Sequence, residues 1–140
     1  TGPLTVTEIF EDPTVGYFDS LFGMCEGFGT NLVTHIATST GYWEPDLFFW
    51  NPSSYFNQLT LTVFGPDGAM LDLSASGLSN PFNLTLDPFS SWEGEIHELI
   101  VSDGNVKQIG WIQVEGQFSF NGYFTFGTKD GRKISAVELE

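Results

Sequence analysis

Hydrophobic and polar side chains alternate along much of the chain, most clearly where Leu59, Leu61 and Val63 are separated by single threonines. A period of two predicts a β-strand with one buried face. Gly-Pro-Asp-Gly follows at residues 65–68 and predicts a turn, because proline presets the first turn position and glycine accepts a positive φ. We expect residues 69–73 to form a strand that pairs back as a hairpin.

The same reasoning predicts further short strands, separated by turns rich in Gly, Pro, Asn and Asp. Such a series at intervals of about ten residues is typical of a β-sandwich or barrel. We therefore predict an all-β fold, an antiparallel β-sandwich of roughly 8–10 short strands in one domain spanning residues 1–140. Helical turns are expected only within residues 12–24 and 95–102. The further strands are predicted at residues 4–10, 31–38, 46–51, 81–86, 109–115, 123–126 and 133–139, and the turns at 51–54, 79–81, 121–122 and 129–131.

Composition narrows the classes of partner. The chain has 18 acidic and only four basic residues, a net charge of -14, which would repel nucleic acid and anionic membrane surfaces. No apolar run approaches the roughly 20 residues of a membrane span, so no membrane insertion is expected. Cys25 is the only cysteine, which leaves no intramolecular disulfide. The chain begins with Thr1 rather than Met, which favours a secreted protein.

From His35 onward, a series of short motifs resembles a β-sandwich module that recurs in secreted bacterial proteins. The resemblance covers about three quarters of the chain and implies an exported, extracellular or cell-surface, non-catalytic role. The N-terminal thirty residues do not share it. Its motifs are His35-Ile36-Ala37, Gly41-Tyr42-Trp43, Leu47-Phe48-Phe49-Trp50-Asn51-Pro52-Ser53, the strand at 59–64, Pro66-Asp67-Gly68, Gly110-Trp111-Ile112 with Val114, and Gly122-Tyr123-Phe124 before Phe126-Gly127.

No arrangement of catalytic residues stands out, so the chain is not expected to be an enzyme. A nucleophilic triad needs a base, and His35 and His97 are the only histidines. Glu93, Glu95 and Glu98 cluster near His97, as paired carboxylates of a glycosidase would. In so acidic a chain, a solvated charged edge explains this cluster better.

Metal binding has little support. Two histidines and one cysteine at distant positions provide no zinc spacing, and we expect no zinc site and no cofactor. Calcium needs only several oxygen ligands, and Asp67, Asp103 and Asp130 each precede a glycine. They are weak calcium candidates, because Asp-Gly is above all a turn dipeptide.

Two kinds of contact surface are predicted instead. The segment 1–30 begins with a strand in which Leu4, Val6 and Ile9 are the candidate assembly residues, and this strand could pair within its own chain or with a neighbouring one. Pairing between chains would make the protein a self-associating structural module that forms a filament or surface layer. The alternative is an adhesion role, as a module of a secreted enzyme that binds polysaccharide or a cell surface. Its candidate stacking aromatics are Tyr42, Trp43, Trp50, Tyr55 and Trp92, with Phe56 beside them.

Overall fold

The computed structural model describes residues 5–12, 17–24, 30–38, 43–96, 108–128 and 134–138, with side chains over 46–96 and 109–125. Ten strands and one short 3-10 helix make up these regions. The strands are β1 (Thr5–Asp12), β2 (Tyr17–Met24), β3 (Thr30–Thr38), β4 (Trp43–Trp50), β5 (Asn57–Phe64), β6 (Phe82–Leu86), β7 (Ser91–Glu95), β8 (Gln108–Gly116), β9 (Asn121–Thr128) and β10 (Ile134–Glu138), and the 3-10 helix is Ser74–Ser76.

The strands form two four-stranded sheets and a hairpin, and every pairing is antiparallel. The first sheet has the order β3-β8-β5-β6, and the second has the order β10-β9-β4-β7. The hairpin joins β1 to β2, and β2 lies beside β10. The two sheets share one core, which confirms the predicted antiparallel β-sandwich.

The core consists of side chains from the inner faces of both sheets. Leu47 and Phe49 come from β4 of the second sheet, and they meet the inner side chains of β5 and β8 in the first. Burial of apolar surface drives this packing, because it removes side chains from water. The buried hydrophobic residues are Leu47, Phe49, Leu59, Leu61, Val63, Leu73, Leu86, Ile96, Ile112, Val114, Phe120 and Phe124.

Strand β5 shows why alternation predicts this fold well. Leu59, Leu61 and Val63 are buried, while Thr60 and Thr62 are only partly covered on the opposite face. The strand has neighbours on both sides, β8 and β6, so its backbone groups are paired within the sheet. The structure also confirms the turn at residues 65–68, where the Gly68 N–H donates to the Gly65 carbonyl at 3.0 Å.

The predicted strand at residues 69–73 is wrong, but the chain does pair back as a short hairpin. The Gly65 N–H donates to the Ala69 carbonyl at 2.8 Å, and the Leu71 N–H donates to the Val63 carbonyl at 3.0 Å. Only one bridge forms there, between Phe64 and Met70, and the chain then enters the 3-10 helix. The side chain of Asn80 completes the pairing of Val63 beside this segment. Its Oδ1 accepts from the Val63 N–H at 3.0 Å, and its Nδ2 donates to the Val63 carbonyl at 2.7 Å and the Leu71 carbonyl at 2.8 Å. One amide thus satisfies backbone groups that a longer hairpin would have paired.

Two other predictions about elements need correction, and one strand was not predicted. The helical turn expected within residues 12–24 does not form over Tyr17–Met24, which is strand β2 in register with β1, and residues 13–16 lie outside the described residues. Strand β7 was not predicted, because its alternating glutamates and glycine have low strand propensity. The predicted turn at residues 121–122 begins strand β9 instead. Of residues 95–102, where the other helical turn was expected, Glu95 ends β7, Ile96 is helical, and residues 97–102 lie outside the described residues.

One glycine allows two strands of the first sheet to approach closely. Gly110 in β8 lies opposite Ile36 of β3, next to a register shift between Val33 and Ile36. A Cβ at Gly110 would overlap the backbone carbonyl oxygen of Phe64. Because backbone atoms cannot move aside as a flexible side chain would, this position requires glycine.

Candidate functional site

Three loops meet at one end of the sandwich: residues 51–56 after β4, 87–90 after β6 and 117–120 after β8. Sheet register brings them together, since Trp50 at the end of β4 lies opposite both Ser91 and Asn121. Backbone hydrogen bonds join the first two loops directly. The Phe89 N–H donates to the Ser53 carbonyl at 3.1 Å. We call this surface the aromatic end, and it comprises Trp50 and these three loops.

The fully buried amide of Asn51 holds two of these loops together. Its Nδ2 donates to the carbonyls of Tyr55 at 2.8 Å and Asp87 at 2.9 Å, and more weakly to that of Leu86 at 3.4 Å. Its Oδ1 accepts from the Ser53 N–H at 3.1 Å and from the Ser53 hydroxyl at 2.8 Å. Loop backbone therefore finds partners inside the protein instead of water.

A second buried amide, that of Asn57, ties the third loop to the start of β5. Its Nδ2 donates to the carbonyls of Phe118 at 3.0 Å and Ser119 at 3.3 Å, and its Oδ1 accepts from the Phe118 N–H at 3.1 Å. The Gln117 N–H adds a backbone bond to the Gln58 carbonyl at 3.1 Å. All three loops are thus attached to the sheets by side-chain or backbone hydrogen bonds, which fixes what they present to solvent.

Large aromatic side chains project from this end into solvent. The rings of Tyr55 and Phe118 lie 6.1 Å apart between centroids and are tilted by 34°. They contact each other but remain largely uncovered. Large apolar side chains gathered at one surface mark interaction sites more often than single exposed ones do. The exposed fractions are 37% for Trp50, 68% for Tyr55, 63% for Phe56, 68% for Phe89 and 44% for Phe118.

Phe89 shows local strain at this surface. Its φ is 53°, the only positive value at a non-glycine residue in the part of the chain that the structure describes. Bulky side chains rarely adopt this conformation, and such strain concentrates at functional sites. The bend is held by the Phe89 N–H bond to Ser53 and by the Ser90 hydroxyl, which donates to the Asp87 carbonyl at 2.8 Å.

The structure brings together only some of the predicted stacking aromatics. Trp50 and Tyr55 lie at the aromatic end, together with Phe56. Trp92 does not belong to the exposed set, because its ring stacks on buried Phe49 at 5.7 Å and packs against the core. Trp43 begins β4, but its side chain is outside the described part, as is all of Tyr42.

Sequence reasoning missed Phe89 and Phe118. Both residues stand in loops, apart from the alternating segments that fill the core. A large apolar residue inside a turn-like segment is the signal that would have found them. Phe118 lies in residues 117–120 between the strands, and Phe89 follows Asp87-Pro88.

The aromatic end has little charge, although the protein is strongly acidic. Asp87 is the only carboxylic or basic side chain in the three loops. The side chains described over 46–96 and 109–125 include no Lys or Arg.

Asp72 lies away from the aromatic end, before the 3-10 helix. Hydrogen bonds from the Ser74 backbone N–H and hydroxyl hold the pKa of the Asp72 carboxyl below its usual range.

Only one of the three weak calcium candidates, Asp67, lies within the described residues. Asp67 is exposed in its turn, and its Oδ1 accepts from the Ala69 N–H at 3.1 Å. Asp103 and Asp130 lie outside the described residues. Over the described ranges, no group of three or more His, Cys, Asp and Glu side chains is arranged to hold a metal ion.

The acidic cluster considered for catalysis is only partly visible. Glu93 and Glu95 are exposed on β7, the outermost strand of the second sheet. His97 and Glu98 lie outside the described residues. His35 belongs to β3, at the register shift, and nothing is described of its side chain. The visible carboxylates thus lie along a sheet edge.

The candidate assembly strand pairs within its own chain. In β1, Val6 lies opposite Gly23 and Ile9 lies opposite Ser20 of β2. Leu4 is outside the described residues. Pairing with β2 uses one edge of β1, and pairing of its other edge with a neighbouring chain stays a prediction. Within the described ranges, no helix has the length and apolar character needed to cross a membrane.

Comparison with known proteins supports the fold alone. Neither the models of known protein families nor the curated proteins include a match to this chain. Among solved structures, the chain is similar to the crystal structure of Thermotoga maritima 1070, with a TM-score of 0.64 and 11% sequence identity. The similarity covers 82% of this chain and 95% of that one. At this identity, the likeness shows a shared arrangement of strands.

Proposed function

We propose that this chain is a non-enzymatic, extracellular binding module whose aromatic end holds a neutral polysaccharide. The observation on which the proposal rests is a group of five exposed aromatic side chains, four of them on loops fixed by buried amides and the fifth, Trp50, at the end of β4. Aromatic rings offer flat apolar faces, and the C–H groups on one side of a sugar ring can lie against such faces. Fixed loops favour binding, because less conformational entropy is lost when the ligand is held.

The net charge of the protein favours neutral polysaccharides over anionic ones as ligands. With a net charge of -14, the protein would repel sulfated or carboxylated chains at low salt. A neutral polysaccharide meets no such penalty, and Asp87 and the serines of the loops supply hydrogen-bonding groups beside the rings. Neutral glucans and chitin are therefore the first ligands to test.

Removing two rings should remove most of the affinity. For the double variant Tyr55→Ala/Phe118→Ala, we expect binding to insoluble cellulose, chitin or a soluble β-glucan to weaken by about tenfold or more, since the related stacking of bases on aromatic rings contributes ~1–3 kcal/mol each. Pull-down assays and isothermal titration calorimetry measure this change. The control is Met70→Ala, which trims an exposed apolar side chain beyond the other end of β5.

Comparison of the double variant with its control shows whether the aromatic end is the binding site. Retained binding in Met70→Ala and loss in the double variant, with both proteins folded by circular dichroism, would support the aromatic end as the site. Equal binding by the double variant and the unmodified protein would contradict it. So would an unmodified protein that binds none of these neutral polysaccharides.

A second candidate function is assembly into a filament or surface layer through β1. The observation that favours it is the separate two-stranded sheet of β1 and β2, in which β1 is an outer strand with β2 as its neighbour in the described structure. An outer strand presents backbone donors and acceptors to another chain. Head-to-tail pairing of this kind generates an open polymer when its rotation does not close a ring.

Deleting residues 1–10 tests this second function. If β1 joins neighbouring chains, negative-stain images of the full chain should show filaments, and the shortened chain should remain folded as isolated particles. Isolated particles of the full chain at every concentration would contradict assembly. Unfolding of the shortened chain would instead show that β1 serves its own domain.

A further inference from the structure

Strand β6 forms an outer edge of the first sheet that has no charged residue. It pairs with β5 over Phe82–Leu86, and the described structure places no strand on its other side. Its sequence is Phe-Asn-Leu-Thr-Leu. Natural sheet edges are commonly protected by charged side chains, bulges or a covering element, because unpaired backbone groups attract a further strand. β6 has no charged side chain, and its register with β5 has no bulge; among the described residues, only the preceding proline and its length of five residues protect it.

The outermost strand of the other sheet on the same side differs in charge. Residues 87–90 connect β6 to β7, so the two strands lie along one side of the sandwich. β7 bears exposed Glu93 and Glu95. Inward-facing or edge glutamates of this kind oppose pairing with another acidic chain. The two edges of the molecule therefore differ: the uncharged edge at β6 can accept a further strand, whereas the glutamates of β7 oppose one.

We propose that β6 pairs antiparallel with β6 of a second copy of this chain, about a two-fold axis. The pairing would join two four-stranded sheets into one of eight strands. Charge limits where two copies can meet, because two proteins of net charge -14 repel each other least where their surfaces are neutral, as along β6. A two-fold contact also requires a self-complementary surface, and identical antiparallel strands provide one.

Side chains on both faces of β6 suit this contact. Asn83 and Thr85 are exposed and uncharged on the outer face, and Asn83 Oδ1 accepts from the Thr60 hydroxyl at 3.0 Å. On the inner face, Phe82 and Leu84 are only partly buried although they pack against the core, and a neighbouring strand would cover them further. Polar pairs outside and apolar pairs inside repeat the pattern of the sheet itself.

The stability of this dimer should depend on salt concentration in a characteristic way. The axis brings the two β7 edges, with their glutamates, to the same side, so charge repulsion opposes dimerisation. Screening by salt should therefore strengthen the dimer, and Glu93→Gln should strengthen it at low salt. A contact held by oppositely charged groups would weaken in salt instead.

Sedimentation velocity at low and high salt tests the proposal on the full chain of 15.5 kDa. We expect a concentration-dependent dimer that is favoured at high salt. Asn83→Glu/Thr85→Glu places like charges across the axis and should raise the dimer Kd by roughly tenfold or more. Its control is Ala69→Glu/Met70→Glu, which adds the same charge at the exposed turn beside Phe64, beyond the end of the β5–β6 pairing, and should change the Kd much less.

Three results would overturn the proposal. The first is a monomer at all concentrations in high salt, and the second is equal weakening by the edge variant and its control. The third is a dimer that is lost in Tyr55→Ala/Phe118→Ala and unaffected by the edge variant, since this would place the interface at the aromatic end. The inference does not depend on polysaccharide binding, because the two surfaces are changed by different variants.

Discussion

Phe49→Ala is expected to lower the free energy of unfolding by about 3–5 kcal/mol, the cost of removing a fully buried phenylalanine side chain. Phe49 is only 1% exposed, and its ring meets Trp92 at 5.7 Å and Phe120 at 6.0 Å. Truncation leaves a cavity at the centre of the sandwich and removes both ring contacts. Domains of this size have stabilities of about 5–15 kcal/mol, so urea denaturation should show a large change in midpoint.

Phe48→Ala is the matched control for this change. Phe48 precedes Phe49 on the same strand but lies on the outer face, where it stacks on Tyr123 at 4.6 Å. Its loss removes one aromatic pair, worth about 0.5–1.5 kcal/mol beyond its buried area. A Phe48 variant as damaging as the Phe49 variant would contradict the assignment of inner and outer faces to β4.

Asn51→Ala is expected to cost about 2–4 kcal/mol, because it leaves several buried loop groups without partners. The Tyr55 and Asp87 carbonyls lose their donor, and the Ser53 N–H loses its acceptor. Hydrogen exchange should also increase in residues 51–56 and 87–90, in addition to the global loss measured by denaturation. Polysaccharide affinity should fall as well, since the rings of the aromatic end depend on these loops.

Asn83→Ala provides the comparison for Asn51→Ala. This asparagine is exposed on β6 and makes one side-chain hydrogen bond, to Thr60. Exposed substitutions of this kind usually change stability by about 0.5 kcal/mol or less. Equal losses in the two asparagine variants would show that burial and bond number at Asn51 do not determine its role.

Most of the sandwich follows from hydrophobic alternation. The buried positions of β5 and the strands near residues 31–38, 46–51 and 109–115 were predicted because each has one buried face or a continuous apolar run. Strand β7 escaped prediction because its alternation consists of half-buried Trp92 and Gly94 between exposed polar residues. Its position in the sheet is set by long-range pairing with β4, which local sequence does not encode.

The candidate site is harder to predict from sequence. Asn51 precedes a proline and suggests only a turn, yet its amide contacts backbone 35 and 36 residues away. The Asn80 side chain similarly bonds to the Val63 backbone, where a longer hairpin would have paired, so the hairpin is shorter than the sequence predicts. Such contacts depend on which loops the sheets bring to the same end. Tyr55 and Trp50 were anticipated from residue type, whereas Phe89 and Phe118 became candidates only through their exposure.

Nuclear magnetic resonance titration of the labelled protein with a soluble neutral β-glucan tests the central claim most directly. The account predicts saturable chemical-shift changes concentrated in residues 51–56, 87–90 and 117–120, with the 65–70 turn unaffected. Changes centred instead on β7 around Glu93 and Glu95, or no change at saturating ligand across neutral polysaccharides, would contradict binding at the aromatic end.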